Sequence, residues 1–232
     1  KMATAFTPHP CSVKGAYKCS GTDCGDGAKG ERYMGVCDKD GCDFNAYRMG
    51  AHDFYGAGPG FALDTTKPMT VVTQFITADG TDTGDLAEIR RLYLQDGKVI
   101  ADANSTVPGV LGGAITDEFC SAQKKAFQDP DDHMMKGGLK KMGEALDRGM
   151  VLALSLWDDK ATEMRWLDSA FPQDDSASRL GVMRGPCDGS TSSPLYLRSH
   201  SQSATVKYTN IKYGEIGSTF AAGARRLDSI MV

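Results

Sequence analysis

Short apolar stretches alternate with polar punctuation along most of the chain, and the period is mainly that of strands. Residues 70–77 are rich in β-branched side chains, with Val71, Thr73 and Phe75 on one face and Val72, Gln74 and Ile76 on the other. That pattern predicts a strand buried on both sides or nearly so. Between Leu92 and Ile100, Asp96-Gly97 separates Leu-Tyr-Leu-Gln from Lys-Val-Ile, the strongest hairpin signal in the chain. Met150 to Trp157 and Ala204 to Tyr213 read as further strands. Two helices interrupt the pattern. Residues 119, 122, 126 and 127 share one face of Asp117 to Phe127, with Asp117 and Glu118 favouring its N-terminus. Leu139, Met142 and Leu146 form a second stripe, stopped by Gly149. Both helices are expected to cover loops rather than build the core, and 79–88 and 129–138 to be polar surface loops. With 27 glycines and nine prolines as punctuation, the whole reads as an all-β sandwich.

The first fifty residues break from this pattern. They hold five of the seven cysteines, Cys11, Cys19, Cys24, Cys37 and Cys42, and too little aliphatic content for a core of their own, so they must be stapled and packed on something larger. Zinc sites want close pairs such as C-x2-C. Here the close pairs are five apart and His9 lies between two prolines, so disulfides in an oxidising compartment are the better reading and no metal is expected.

Composition narrows the function. The 232 residues suit a single domain. A formal charge of −4 without a long basic run argues against nucleic acid and against an anionic membrane surface. No apolar run approaches the ~20 residues of a bilayer span, mean hydropathy is −0.34, and any signal peptide lies upstream or is absent. Asn104-Ser105-Thr106 is a glycosylation acceptor sequence if the chain is secreted by a eukaryote.

Acid/base catalysis by paired carboxyl groups needs two of them in one site, one with a raised pKa. The acidic clusters are Asp38/Asp40/Asp43, Asp131/Asp132 and Asp158/Asp159. Neighbours on an extended segment point to opposite faces, so Asp158 and Asp159 cannot share a site there, and Asp38-x-Asp40-Gly41 lacks the remaining ligands of a calcium loop. No catalytic pair is expected within the chain. There is no G-x-S-x-G elbow, and His52, His133 and His200 read as surface or loop residues.

The blocks themselves resemble a known family. Thr7-Pro8-His9-Pro10-Cys11, Glu31-Arg32-Tyr33-x-Gly35-x-Cys37-Asp38-x-Asp40-Gly41-Cys42-Asp43-x-Asn45-x-Tyr47-Arg48, Leu63-Asp64-Thr65-Thr66-Lys67, Val71-Val72-Thr73-Gln74-Phe75, Gly149-Met150-Val151-Leu152, Ser155-Leu156-Trp157-Asp158-Asp159, Trp166-Leu167-Asp168-Ser169 and 210–219 follow in order. Together they resemble the second part of the catalytic domain of glycoside hydrolase family 7, the cellobiohydrolases and endoglucanases, over residues 1–220. Residues 221–232 form an unmatched tail.

The resemblance implies a concanavalin-like jelly-roll sandwich of curved antiparallel sheets, cut so that only part of the domain is present. It implies a secreted, extracellular cellulase acting on cellulose or cello-oligosaccharide with retention, with no cofactor, monomeric when the domain is complete. The family's catalytic strand, Glu-x-Asp-x-x-Glu, should finish just before Lys1. The resemblance pairs Cys11 with Cys37, Cys19 with Cys24 and Cys42 with Cys120, and leaves Cys187 to a cysteine in the missing part. It makes Trp157 and Trp166 sugar-stacking platforms. It sets Thr7 and His9 beside the acid/base, and Arg32, Asp40, Asp43, Arg48 and Arg184 along the product side. Phe171 stands where the family usually has Tyr, which removes a hydroxyl. Residues 12–41 are present in full, as in the tunnel-forming members, which favours exo action releasing cellobiose. The rival readings are a non-catalytic carbohydrate-binding protein and a cell-wall structural protein on the same scaffold.

Overall fold

The computed structural model describes residues 4–156 and 158–220. Trp157, one of the two expected stacking platforms, and the 221–232 tail lie outside the described residues.

The first strand, β1 (Ala5–Phe6), pairs antiparallel with β2 (Phe44–Asn45), Phe6 opposite Phe44. The short strands β3 (Tyr55–Gly56) and β4 (Leu63–Asp64) pair in parallel. The main sheet is an antiparallel meander of β5 (Thr70–Thr77), β6 (Leu86–Gln95) and β7 (Lys98–Ala101), with Val72 opposite Leu92 and Tyr93 opposite Ile100. At the expected hairpin, Asp96 (φ 50°) and Gly97 (φ 73°) both have positive φ. A tight turn of this hand matches the twist of its strands, and glycine takes the conformation without a steric cost.

The helix α1 (Asp117–Phe127) has the expected bounds. Its cap is Thr116, whose hydroxyl accepts from the Phe119 amide at 3.1 Å, and Lys124 and Lys125 stand in its last turn. The helices α2 (Asp132–Met135) and α3 (Gly138–Asp147) follow, then α4 (Arg165–Asp168) and α5 (Pro194–His200). The core joins β1, β2 and β6 to α1 and α3 through Phe6, Phe44, Ile89, Tyr93, Phe119, Phe127 and Leu139. Phe44 packs in a tilted arrangement on both Phe6 and Phe119, with ring centroids 5.5 Å apart in each pair.

Four expectations are corrected here. The strand β5 buries only one face, that of Val72 and Gln74, while Val71 and Phe75 stay about half exposed. The helices α1 and α3 are not loop covers, because Phe119, Cys120, Phe127 and Leu139 belong to the core itself. The 79–88 segment turns earlier than a polar loop would, since Leu86 is already buried strand. Within 129–138, Asp132 and His133 are fully buried on α2 rather than on a surface loop.

The segments 150–156 and 204–213 are irregular and belong to no sheet among the described residues, and Asn210 breaks the second with a φ of 53°. Alternation supplies a strand's side chains but not its hydrogen-bond partner. Without one, Val151 (93% exposed) and Tyr213 (100%) face solvent.

Candidate functional site

Three disulfides fix the N-terminal fifty residues: Cys11–Cys37, Cys19–Cys24 and Cys42–Cys120. The last anchors them in the core, for Cys42 and Cys120 are fully buried. The 7–11 segment runs alongside 37–42, with the Asp38 amide donating to Pro10 O at 2.8 Å and the Cys42 amide to Pro8 O at 3.2 Å. Asp38 organises the turn between them. Its Oδ1 accepts from the amides of Asp40 (3.2 Å) and Gly41 (2.9 Å), and its carbonyl lies 2.9 Å from His9 Nδ1. Gly41 has φ +72°, and a Cβ there would collide with the Thr7 methyl and lie 2.8 Å from His9 Cε1. Only glycine lets Thr7 and His9 close on the turn that presents Asp40.

Asp40 is held from the other side. It pairs with Arg32, accepts from the Tyr33 hydroxyl at 2.9 Å, and the Arg32 guanidinium lies 5.0 Å from the Tyr33 ring centroid. Arg32 and Asp40 are both exposed, so their planar, polar edges are open to a ligand.

Three residues beyond Asp40, Asp43 forms a buried pair with Arg48 at 2.5 Å. Arg48 also reaches Asp129 Oδ2 at 3.2 Å, donates to Gly181 O at 2.8 Å and packs 4.3 Å from the Phe127 ring centroid. A second arginine, Arg184, faces Asp43 at 3.7 Å and lies 5.5 Å from the Phe171 ring centroid. Burial by itself would raise the Asp43 carboxyl, but Arg48, Arg184 and Lys124 outweigh it and hold it below the usual carboxylate range. Arg184 is lowered to about 10 by its burial and by the like charge of Arg48, against the pull of Asp43, Asp129 and Asp40.

Positioning comes from Asn45. It is buried on β2, and its amide donates to Leu167 O and Arg184 O, each at 2.9 Å, while its own oxygen accepts from the amides of Tyr47 and Arg48. One side chain thus joins the loop bearing Asp43 and Arg48 to the α4 region and to Arg184. Trp166 sits on α4, half-buried, its indole donating to Asp159 Oδ2 at 3.2 Å. Asp159 is lowered to about 2 by the Thr162 hydroxyl, with the amides of Thr162 and Ala161 and the Trp166 indole acting in the same direction against partial burial. Its neighbour Asp158 instead holds Arg198 through two contacts of 3.0 and 3.2 Å.

Thr7, His9, Arg32 and Asp40 therefore form one group, and Asp43, Arg48 and Arg184 a second, with Arg184 feeling the charge of both. Trp166 is tied to that second group through Asn45. Asp158 and Asp159 are committed to different partners. Among the described residues no three His, Cys, Asp or Glu side chains converge to hold a metal ion. Sequence reasoning missed Tyr33, Asn45 and Asp129 as site-builders. Asn45 and Tyr33 stand inside the matched block, which was a usable signal, but Asp129 carried none. The arginine it serves lies 81 residues away.

The profile of glycosyl hydrolase family 7 matches residues 1–220. A family 7 cellobiohydrolase from Daphnia pulex superposes with a TM-score of 0.82 at 50% identity, over 86% of this chain and 45% of that one. An endoglucanase I solved with cellobiose gives 0.69 at 37% identity, over 85% and 43%. A cellobiohydrolase from Melanocarpus albomyces solved with cellotetraose gives 0.73 at 34%, over 85% and 44%. The chain spans less than half the length of these relatives.

Proposed function

The chain belongs to glycosyl hydrolase family 7, and from that premise we propose that it supplies the substrate groove and product-side subsites of a secreted retaining cellulase, on a concanavalin-like jelly-roll sandwich. The bonds cleaved are β-1,4-glucosidic bonds of cellulose. The observation that carries this reading is the set of planar ionic groups, Arg32–Asp40 and Asp43–Arg48–Arg184, the second braced by Asn45. Vicinal sugar hydroxyls both donate and accept, and fixed guanidinium–carboxylate edges meet both needs in a defined orientation. The exposed pair Arg32 and Asp40 and the half-buried Arg184 are proposed to touch sugar directly. Arg48, its side chain only 4% exposed, is proposed to act by holding Asp43. Thr7 and His9 close the turn beside the reacting bond, and Trp166 offers its indole face to a sugar ring, oriented by Asp159.

Asp40, Asp43, Asp158 and Asp159 are each held by cationic or hydrogen-bond-donating partners, so the catalytic carboxyl groups are proposed to come from the family's Glu-x-Asp-x-x-Glu strand and not from these residues. Exo action releasing cellobiose is favoured by the intact 12–41 segment and by the likeness to cellobiohydrolases. The test is hydrolysis of a soluble aryl β-cellobioside by the 232-residue chain and by a form extended upstream through that strand. Activity is expected only in the extended form. Activity in the short form would overturn the assignment of catalysis. Cellobiose binding without hydrolysis in both forms would favour the non-catalytic carbohydrate-binding reading.

A further inference from the structure

His133 is the one fully buried imidazole among the described residues and lies outside the groups above. Its Nε2 is 3.1 Å from Asp117 Oδ1 at the start of α1, and its Nδ1 faces Asp38 Oδ2 at 3.8 Å. Asp38 is the residue whose other oxygen folds the turn bearing Asp40 and whose carbonyl seats His9. The same short helix reaches that loop again, since Lys136 donates to Tyr33 O at 3.1 Å and pairs with Asp132 at 3.6 Å. On the far side, Asp117 Oδ1 also accepts from the Leu139 amide at 2.9 Å, which ties the ring to α3.

A carboxylate only accepts hydrogen bonds, so a buried Asp38 held on one oxygen alone needs a partner for the other. Among the described residues neither Asp38 Oδ2 nor His133 Nδ1 has a hydrogen-bond partner, and the two buried atoms face each other at 3.8 Å, ion-pair range and longer than a hydrogen bond. We infer that His133 is a positioning residue for carbohydrate binding: through Asp38 it fixes the turn that sets His9 and Asp40, with α1 and α3 as its rigid backing. The inference rests on the product-side reading above.

Two polar substitutions separate the arms of the ring. Asn at 133 places its amide near Nδ1 and keeps the link to Asp38, whereas Gln reaches toward Nε2 and keeps the link to Asp117. Cellobiose inhibition of aryl cellobioside hydrolysis would be measured in the full-length protein that carries this chain. His133→Asn is expected to stay within about twofold of the native inhibition constant. His133→Gln and His133→Phe are expected to weaken it about tenfold, the scale of one orphaned buried polar group. A purely structural histidine would lower thermal stability in all three variants and leave cellobiose affinity alike in all of them, and that result overturns the inference. Should the 133 variants not fold, Lys136→Met cuts the neighbouring tie to Tyr33, and unchanged inhibition there counts equally against it. If the native protein has no affinity for cellobiose, the product-side reading itself fails and takes this inference with it. If native affinity is present and the Asn and Gln variants match, only the positioning role fails.

Discussion

Asp102 lies behind the end of β7 with its carboxylate 3.4 Å from the Tyr93 hydroxyl, and Thr4 touches the same hydroxyl at 3.3 Å. Burial pushes Asp102 up to about 7, against the weaker pull of the Ala103 amide, Arg91 and Tyr93. Burial, reinforced by the Asp102 charge, pushes Tyr93 up to about 12. The sign for stability follows directly. The folded carboxyl keeps its proton up to about pH 7, while the unfolded one releases it near 3.8. Between those values the unfolded state binds fewer protons, so this residue makes stability fall as pH rises from about 4 to 7 and level off above. Asp102→Asn is expected to raise unfolding free energy at pH 8 by roughly 1–3 kcal/mol, with the gain vanishing at pH 4. Urea midpoints at pH 4, 6 and 8 measure it, and a gain independent of pH would show that Asp102 is ionised in the native state. Arg48 and Asp43 illustrate the opposite case, a buried pair in which each charge makes the other tolerable.

Elements in this chain form where the sequence supplies both side chains and a local partner. The β6–β7 hairpin closes through Asp96-Gly97, and the Asp96 carboxylate also takes Lys67 at 2.8 Å. Gly97→Val is expected to cost about 1–2 kcal/mol, because a β-branched residue resists the left-handed conformation the turn requires. Equilibrium denaturation reads that loss, and an unchanged midpoint would mean that the register of β6 and β7 is fixed elsewhere. The helix α1 forms for a similarly local reason, a threonine cap followed by acids and ended by lysines. The stretch 150–156 has the side chains of a strand without a strand partner among the described residues, and it stays irregular and open.

At the scale of the whole molecule, the described residues carry two apolar runs that nothing covers. Leu152, Leu154 and Leu156 are 70%, 49% and 71% exposed, and Val206, Tyr208 and Ile211 are similarly open. Contiguous exposed apolar surface of this kind drives association. The 232-residue chain by itself is expected to self-associate with rising concentration, and the double change Leu152→Lys with Leu156→Lys to reduce it. Light scattering across a concentration series measures both, and a monodisperse native chain would contradict the expectation.

Local chemistry determined what the sequence alone could determine: the hairpin at Asp96-Gly97, the bounds of α1 and the stripe of α3. Resemblance supplied the pairing of the six cysteines, and the structure has the same three bridges. Only the tertiary fold decided which polar residues are inside. His133 and Asp132 stand in a stretch as polar as any loop, yet both are buried, because their environment is made by Asp38, Asp117 and Lys136 and by the packing of α1 and α3. Arg48 reads as a ligand-facing arginine until Asp129 and Gly181, 81 and 133 residues away, close over it. Periodicity reports one element's own faces. What covers a face is set by residues far along the chain, and neither composition nor spacing encodes that locally.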